Sequence, residues 1–167
     1  SVGGGVSIEG PRSIKFFRRH PLRSIVLETD VFPGFATDWQ QPFAVMLTQA
    51  TGISIIHETV YERRFGYLEA LSALGAKTQI ETHCLGSVPC RFRGRDFPHS
   101  AIVRGPTELH SEGITLDVPD LRAGLAYVMA AALAKGETTI TSVQRIERGY
   151  GELAVRTKGL GLSLQAF

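Results

Sequence analysis

The chain has 167 residues, 43% hydrophobic and 20% charged, with a formal net charge of +2. Those values fit one globular domain with a substantial core, and so small a charge gives no reason to expect nucleic acid or an anionic membrane as partner. The longest uncharged run, Ala123 to Ala134, falls short of the about 18 apolar residues a membrane-crossing helix needs.

In chain order, a Gly-rich turn at the start leads into a strand. The basic stretch "RSIKFFRRHPLR", residues 12 to 23, is expected as a solvated hairpin or loop, since no stacking platform or recognition helix accompanies it. A strand, "SIVLETDVF", ends at a Pro-Gly-Phe turn, and Asp38 then stands before an apolar helix as an expected N-cap. Gly52 is expected to stop that helix, after which "ISIIHETV" reads as a β-branched strand. Arg64 opens a second helix with Leu68, Leu71 and Leu74 at helical spacing, ended by Gly75. A further strand is expected around "VPCRFRG", with a strand-loop-strand excursion over residues 91 to 113. Next come "GITLDV", a cap at Asp120, a helix through Ala123 to Ala134 buried on nearly every side, and the strand "TTITSV". Arg148 opens another helix carrying Leu153 and Val155, Gly159 stops it, and "LSLQAF" reads as a last strand. Both ends look cut, as in a piece of a larger protein.

The second half repeats the first. At a constant offset of 84 residues, Gly52 falls on Gly136, Ile56 on Ile140, Arg64 on Arg148 and Gly75 on Gly159. The unit reads strand-helix-strand-helix-strand, with right-handed crossovers placing its strands in one mixed sheet and helices on one face. A single domain over residues 1–167 is expected, with units at about 24–105 and 106–167 and a truncated unit at 1–23.

Cys84 and Cys90 are separated by five residues, which matches no zinc or redox signature, and the five histidines are scattered without an i, i+4 pair. No metal site and no cofactor are expected. Two thiols without a secretory segment suggest a reducing, cytoplasmic setting.

Three arginines stand near helix starts: Arg64, Arg148, and Arg122 two residues after Asp120. Such a cation opposes the helix dipole, so either a phosphate or carboxylate ligand or an internal ion pair with Glu62, Glu147 or Asp120 must answer it. Asp38 is equally open, as a cap or as a base beside an anionic cosubstrate.

Five ordered motifs, "PGFATDWQ", "ETVYERRF", "PDLRAGLAYVMAA", "KGETTI" and "RIERGYGEL", resemble the C-terminal half of the UDP-N-acetylglucosamine 1-carboxyvinyltransferase family. That family lies in the enolpyruvyl transferase superfamily with 5-enolpyruvylshikimate-3-phosphate synthase. The resemblance implies an inside-out α/β barrel of repeated βαβαββ units, this chain being most of one of two globular domains. It further implies transfer of an enolpyruvyl group from phosphoenolpyruvate to the 3′-hydroxyl of UDP-N-acetylglucosamine, the first committed step of peptidoglycan synthesis.

By motif match, Asp38 takes the place of the aspartate that deprotonates the hydroxyl, and Val60 that of a residue whose backbone touches the UDP-sugar. Arg64, Arg122 and Arg148 match arginines of the phosphoenolpyruvate site, Arg148 having a catalytic part, while Asp120 and Leu121 complete the substrate contacts. The family's loop cysteine or aspartate and its phosphate-site lysine belong to parts absent from this chain, and the missing N-terminal domain is an expected partner. Ala36 stands where proline is usual, Glu147 where aspartate is usual, and extra residues occur near 12–23 and 91–105, which bears on sugar specificity. Cys84 and Cys90 lie in no matching motif and receive no catalytic role. The alternatives are another acceptor, such as shikimate 3-phosphate, and a non-catalytic anion-binding paralogue.

Overall fold

The computed structural model describes residues 2–88, 90–160 and 162. An antiparallel hairpin, β1 (Gly4–Ile8) and β2 (Ile14–Arg18), comes first, with most of its side chains exposed. The basic stretch is therefore the expected hairpin.

Two β-α-β crossovers organise the rest. In the first, β3 (Val26–Glu28) leads through α1 (Gln40–Leu47) to a parallel β4 (Gly52–His57). In the second, β7 (His110–Asp117) leads through α3 (Leu121–Leu133) to a parallel β8 (Lys135–Thr141). The registers agree: Leu27 pairs with Ile56 and Glu28 with His57, as Leu116 pairs with Ile140 and Asp117 with Thr141. Ile56 and Ile140, matched in the sequence repeat, thus occupy the same place in each crossover.

After β4 come α2 (Tyr67–Ala73), β5 (Lys77–Glu81) and β6 (Ser100–Gly105). Strand β6 inserts antiparallel between β4 and β5, giving a four-stranded mixed sheet in the order β3-β4-β6-β5. After β8 come the short helices α4 (Gln144–Glu147) and α5 (Leu153–Lys158). The architecture is a mixed α/β fold with one continuous core. Leu27, Ile56, Ala101 and Val103 of the sheet meet Leu47 of α1, Leu68, Leu71 and Leu74 at α2, and Ala126 and Ala130 of α3. Each buried leucine contributes about 1.5–3 kcal/mol relative to exposure. Helix α3 packs on α1, α2, α4 and β8, which explains its lack of a polar face. Among the described residues no helix is long and apolar enough to cross a membrane.

Several expectations need correction. No strand forms at residues 88–94 among the described residues; Arg91–Gly94 is a turn. Gly52 and Gly136, with φ of 107° and 96°, begin strands instead of stopping helices, since α1 has ended at Leu47 and α3 runs directly into β8. Gly75 does end a helix: with φ 93°, its N–H donates to the Ser72 carbonyl and that of Ala76 to Leu71, a Schellman motif. Gly159 also stands where its helix stops, as the C-cap of α5, but at φ −63° it makes no left-handed turn. Arg64 lies in the turn before α2 and Arg148 at the end of α4, so neither opens a helix. Leu153 is buried but Val155 is 70% exposed. The final "LSLQAF" strand lies almost wholly outside the described residues.

Candidate active site

Asp38 is not a helix cap. It sits inside a turn of 3-10 helix, Thr37–Trp39, that runs into α1, and no side chain caps either element. The Gln40 N–H is taken by the Thr37 carbonyl. Pro42 gives the reason: a proline ring clashes with the carbonyl four residues back, here that of Asp38, so the chain tightens before the α-helix begins.

Its carboxylate faces cations instead. Oδ1 accepts from Arg122 Nε at 2.5 Å and pairs with Arg64 Nη2 at 3.4 Å, while Oδ2 takes no hydrogen bond among the described residues. The Asp38 side chain is 54% exposed, so a ligand can reach the carboxylate. Arg64 is held by stacking on the Tyr61 ring, 4.6 Å from its centroid, and keeps only 12% exposure. The question of ion pair or ligand at these arginines is thus half answered, by a partner, Asp38, that was not among those expected. Glu62 pairs with Arg91 at 3.3 Å.

Asp120 is the cap that the sequence promised. Its Oδ1 accepts from the backbone N–H of Arg122 at 2.7 Å and of Ala123 at 3.0 Å. This fixes the first turn of α3 and with it the root of Arg122, so the start of the second crossover's helix supplies the cation for the aspartate of the first. Leu121 packs under Gly149, where an added Cβ would lie 2.8 Å from the leucine methyls. That contact sets Arg148, exposed and next in the chain to Gly149, beside the start of α3. Arg148 makes no ion pair or side-chain hydrogen bond among the described residues.

Sequence reasoning passed over Glu58. This fully buried carboxylate accepts from Thr37 Oγ1 at 2.7 Å, Val60 N–H at 2.7 Å, Tyr61 N–H at 2.9 Å and the Gln40 side chain. It ties the Asp38 turn to the loop carrying Val60 and Arg64. Burial, and then the charge of Glu58, push the Tyr67 hydroxyl upward, so it stays a neutral donor, to Gln40 Oε1 at 3.2 Å. The Val60 carbonyl is already taken by the Arg91 guanidinium, so a ligand contact there must displace Arg91 or use another Val60 atom. The signal for Glu58 was an acid directly after an apolar β-branched strand.

A second group was also missed. Two of the histidines that are scattered in the sequence come together in space: His57 and His99 converge with Cys84 and Cys90, one ligand atom from each lying within 4.8 Å of the others. Burial and the hydrogen bond with Cys90 push the Cys84 thiol upward, the opposite of what a nucleophilic thiolate needs. Glu28 beside His57 behaves differently. Burial raises it, but donors from Ser87, Val88 and His57 outweigh that and hold its carboxyl at about 2.

The sequence matches, over residues 3–155, the family described as EPSP synthase (3-phosphoshikimate 1-carboxyvinyltransferase). The chain belongs to this family. Among curated relatives, it is 47% identical to the UDP-N-acetylglucosamine 1-carboxyvinyltransferase of Chlamydia pneumoniae, covering all of this chain and 36% of that protein. It is 48% identical to that of Protochlamydia amoebophila, covering 98% and 35%. The chain therefore spans about a third of the length of these relatives. Among solved structures it superposes on the enolpyruvyl transferase NikO from Streptomyces tendae with a TM-score of 0.77 at 27% identity, over 98% of this chain and 34% of that one. An Acinetobacter baumannii EPSP synthase, at 20% identity and TM-score 0.51, shares the fold.

Proposed function

We propose that this chain is part of an enolpyruvyl transferase that moves the enolpyruvyl group of phosphoenolpyruvate onto the 3′-hydroxyl of UDP-N-acetylglucosamine, the committing step of peptidoglycan synthesis in the cytoplasm. The observation that carries the reading is the Asp38 carboxylate with Oδ1 on Arg122 and Arg64 and Oδ2 without a hydrogen bond among the described residues. Relatives named for this acceptor at close to half identity support the choice of sugar over shikimate 3-phosphate.

In this reading Asp38 Oδ2 takes the proton of the sugar hydroxyl as its oxygen bonds to C2 of phosphoenolpyruvate, while a proton adds to C3. The C2–phosphate bond then breaks, a proton leaves C3, and inorganic phosphate departs. Arg64, Arg122 and Arg148 supply positive charge for the phosphate and carboxylate, oriented before reaction and so without reorganisation cost. Asp120 and Leu121 set the start of α3, and Val60 places the UDP-sugar. The family's loop cysteine or aspartate and phosphate-site lysine come from parts absent from this chain, so residues 1–167 alone are expected not to turn over. Neither a metal nor an organic cofactor takes part in the chemistry.

The test is phosphate release from phosphoenolpyruvate by the full-length protein with each acceptor in turn. Release with UDP-N-acetylglucosamine and not shikimate 3-phosphate is expected. Release with shikimate 3-phosphate alone would overturn the acceptor, and release with neither would leave an anion-binding protein.

A further inference from the structure

Residues 82–99, between β5 and β6, form a long connection without helix or strand among the described residues. Such connections beyond about 12–15 residues are uncommon in a compact domain and need an anchor other than a backbone ladder. We propose that His57, Cys84, Cys90 and His99 are that anchor: a structural zinc site of two thiolates and two imidazoles, joining the end of β4, the loop and the start of β6.

Four observations carry it. The four ligand atoms lie within 4.8 Å of one another, whereas a tetrahedral zinc with its usual bond lengths spaces its ligands by about 3.3–3.8 Å. Two of the pairs come within about half an ångström of that spacing: Cys84 Sγ is 3.3 Å from Cys90 Sγ and 3.2 Å from His99 Nε2, so binding the ion needs only a slight opening of the group. The two sulfurs are not bonded, since a disulfide needs about 2.05 Å.

The second observation is the tautomers. His57 Nδ1 faces Glu28 Oε2 at 3.1 Å and His99 Nδ1 faces the Phe97 carbonyl at 2.6 Å. Both acceptors take a proton from Nδ1, leaving each Nε2 as a lone-pair donor. A metal-bound histidine is usually held this way, by a carboxylate or carbonyl behind the ring. The third is an orphan: His57 Nε2 is buried, on a fully buried residue, with no hydrogen-bond partner among the described residues. A buried ring nitrogen without a partner is costly, and a metal ion removes the cost.

Fourth, the loop is shaped around this group. Gly86 passes so close to the His57–Glu28 pair that an added Cβ would lie 2.1 Å from His57 Nδ1. Ser87 and Val88 donate to the same Glu28. Soft thiolates with imidazoles select zinc over magnesium or calcium, and four protein ligands leave no open position, so the site is structural and not catalytic. Two thiolates also balance the dication, which suits burial. Since Arg91 reaches from the same loop to Val60 and Glu62, the zinc steadies the wall beside Asp38.

The spacing explains why the pattern was not legible: His57 lies a whole helix and strand away from the cysteines. The test uses the full-length protein. After removal of loosely held metal, about one equivalent of zinc per chain is expected, and Cys90→Ala should lose it while Val155→Ala keeps it. Cobalt replacing zinc in the parent should give the intense visible bands of a tetrahedral site and thiolate-to-metal charge transfer, a readout that needs no variant to fold. Chelation should speed proteolytic cleavage within 82–99 by at least about tenfold. Protein that takes up neither zinc nor cobalt, whether its thiols are free or joined in a disulfide, would overturn the proposal.

Discussion

The two crossovers share a register but not a job. In each, an acid at the end of the first strand faces a partner on the second: Glu28 faces His57, and Asp117 accepts from Thr141 Oγ1 at 2.8 Å. In the first, the pair is roofed by the 82–99 loop and backed by two cysteines and a second histidine; in the second, Asp117 stays 65% exposed. The helices differ likewise. Asp120 spends its carboxylate on backbone N–H groups, whereas Asp38 spends one oxygen on guanidinium groups and leaves the other without a hydrogen bond among the described residues. The same sequence pattern, an aspartate before an apolar helix, thus yields one cap and one exposed acceptor. The cap of one crossover fixes the arginine that orients the acceptor of the other.

The comparison can be broken at its strongest link. Arg122→Ala removes the cation that Asp120 positions and Asp38 receives, and in the intact enzyme it should cost about 2–4 kcal/mol of transition-state stabilisation. Steady-state kcat/KM measures this, and a loss below threefold would detach Arg122 from the site. Next in size is Glu58→Ala, which strands the N–H groups of Val60 and Tyr61 and the side chains of Thr37 and Gln40. Denaturant unfolding should show a loss of about 1–3 kcal/mol, because several buried donors lose their acceptor. The smallest effect sharpens the contrast between the aspartates. Asp120→Ala should cost about 1 kcal/mol of stability as a lost cap. Asp38→Ala should cost well under that, since an exposed ion pair contributes about 0–1 kcal/mol. Equal losses in thermal melts would erase the distinction.

Much of this arrangement was legible in the sequence because it rests on local rules. The constant offset marked β4 and β8 as equivalents, Pro119-Asp120 marked the cap of α3, and Leu68, Leu71 and Leu74 marked the buried face of α2. What failed rests on context. Pro42 acts on the backbone four residues earlier, which turned the expected cap at Asp38 into a 3-10 turn. Glu58 draws its meaning from Thr37 and Gln40, far back in the chain. His57 meets Cys84 and Cys90 only because β6 inserts between β4 and β5, a pairing no spacing announces. The repeat also misleads where it is imperfect: Gly75 makes a left-handed turn and Gly159 does not.

The central claim is that Asp38 acts on the acceptor through its second carboxylate oxygen, and Asp38→Asn tests it most directly. Asparagine keeps the shape and an acceptor for Arg122 but cannot take a proton from the sugar hydroxyl. In the full-length enzyme, with phosphoenolpyruvate and UDP-N-acetylglucosamine, phosphate release should fall by at least about a hundredfold, with both substrates still bound and the melting temperature nearly unchanged. Turnover within about threefold of the parent would contradict the account and leave Asp38 as a surface partner of Arg122.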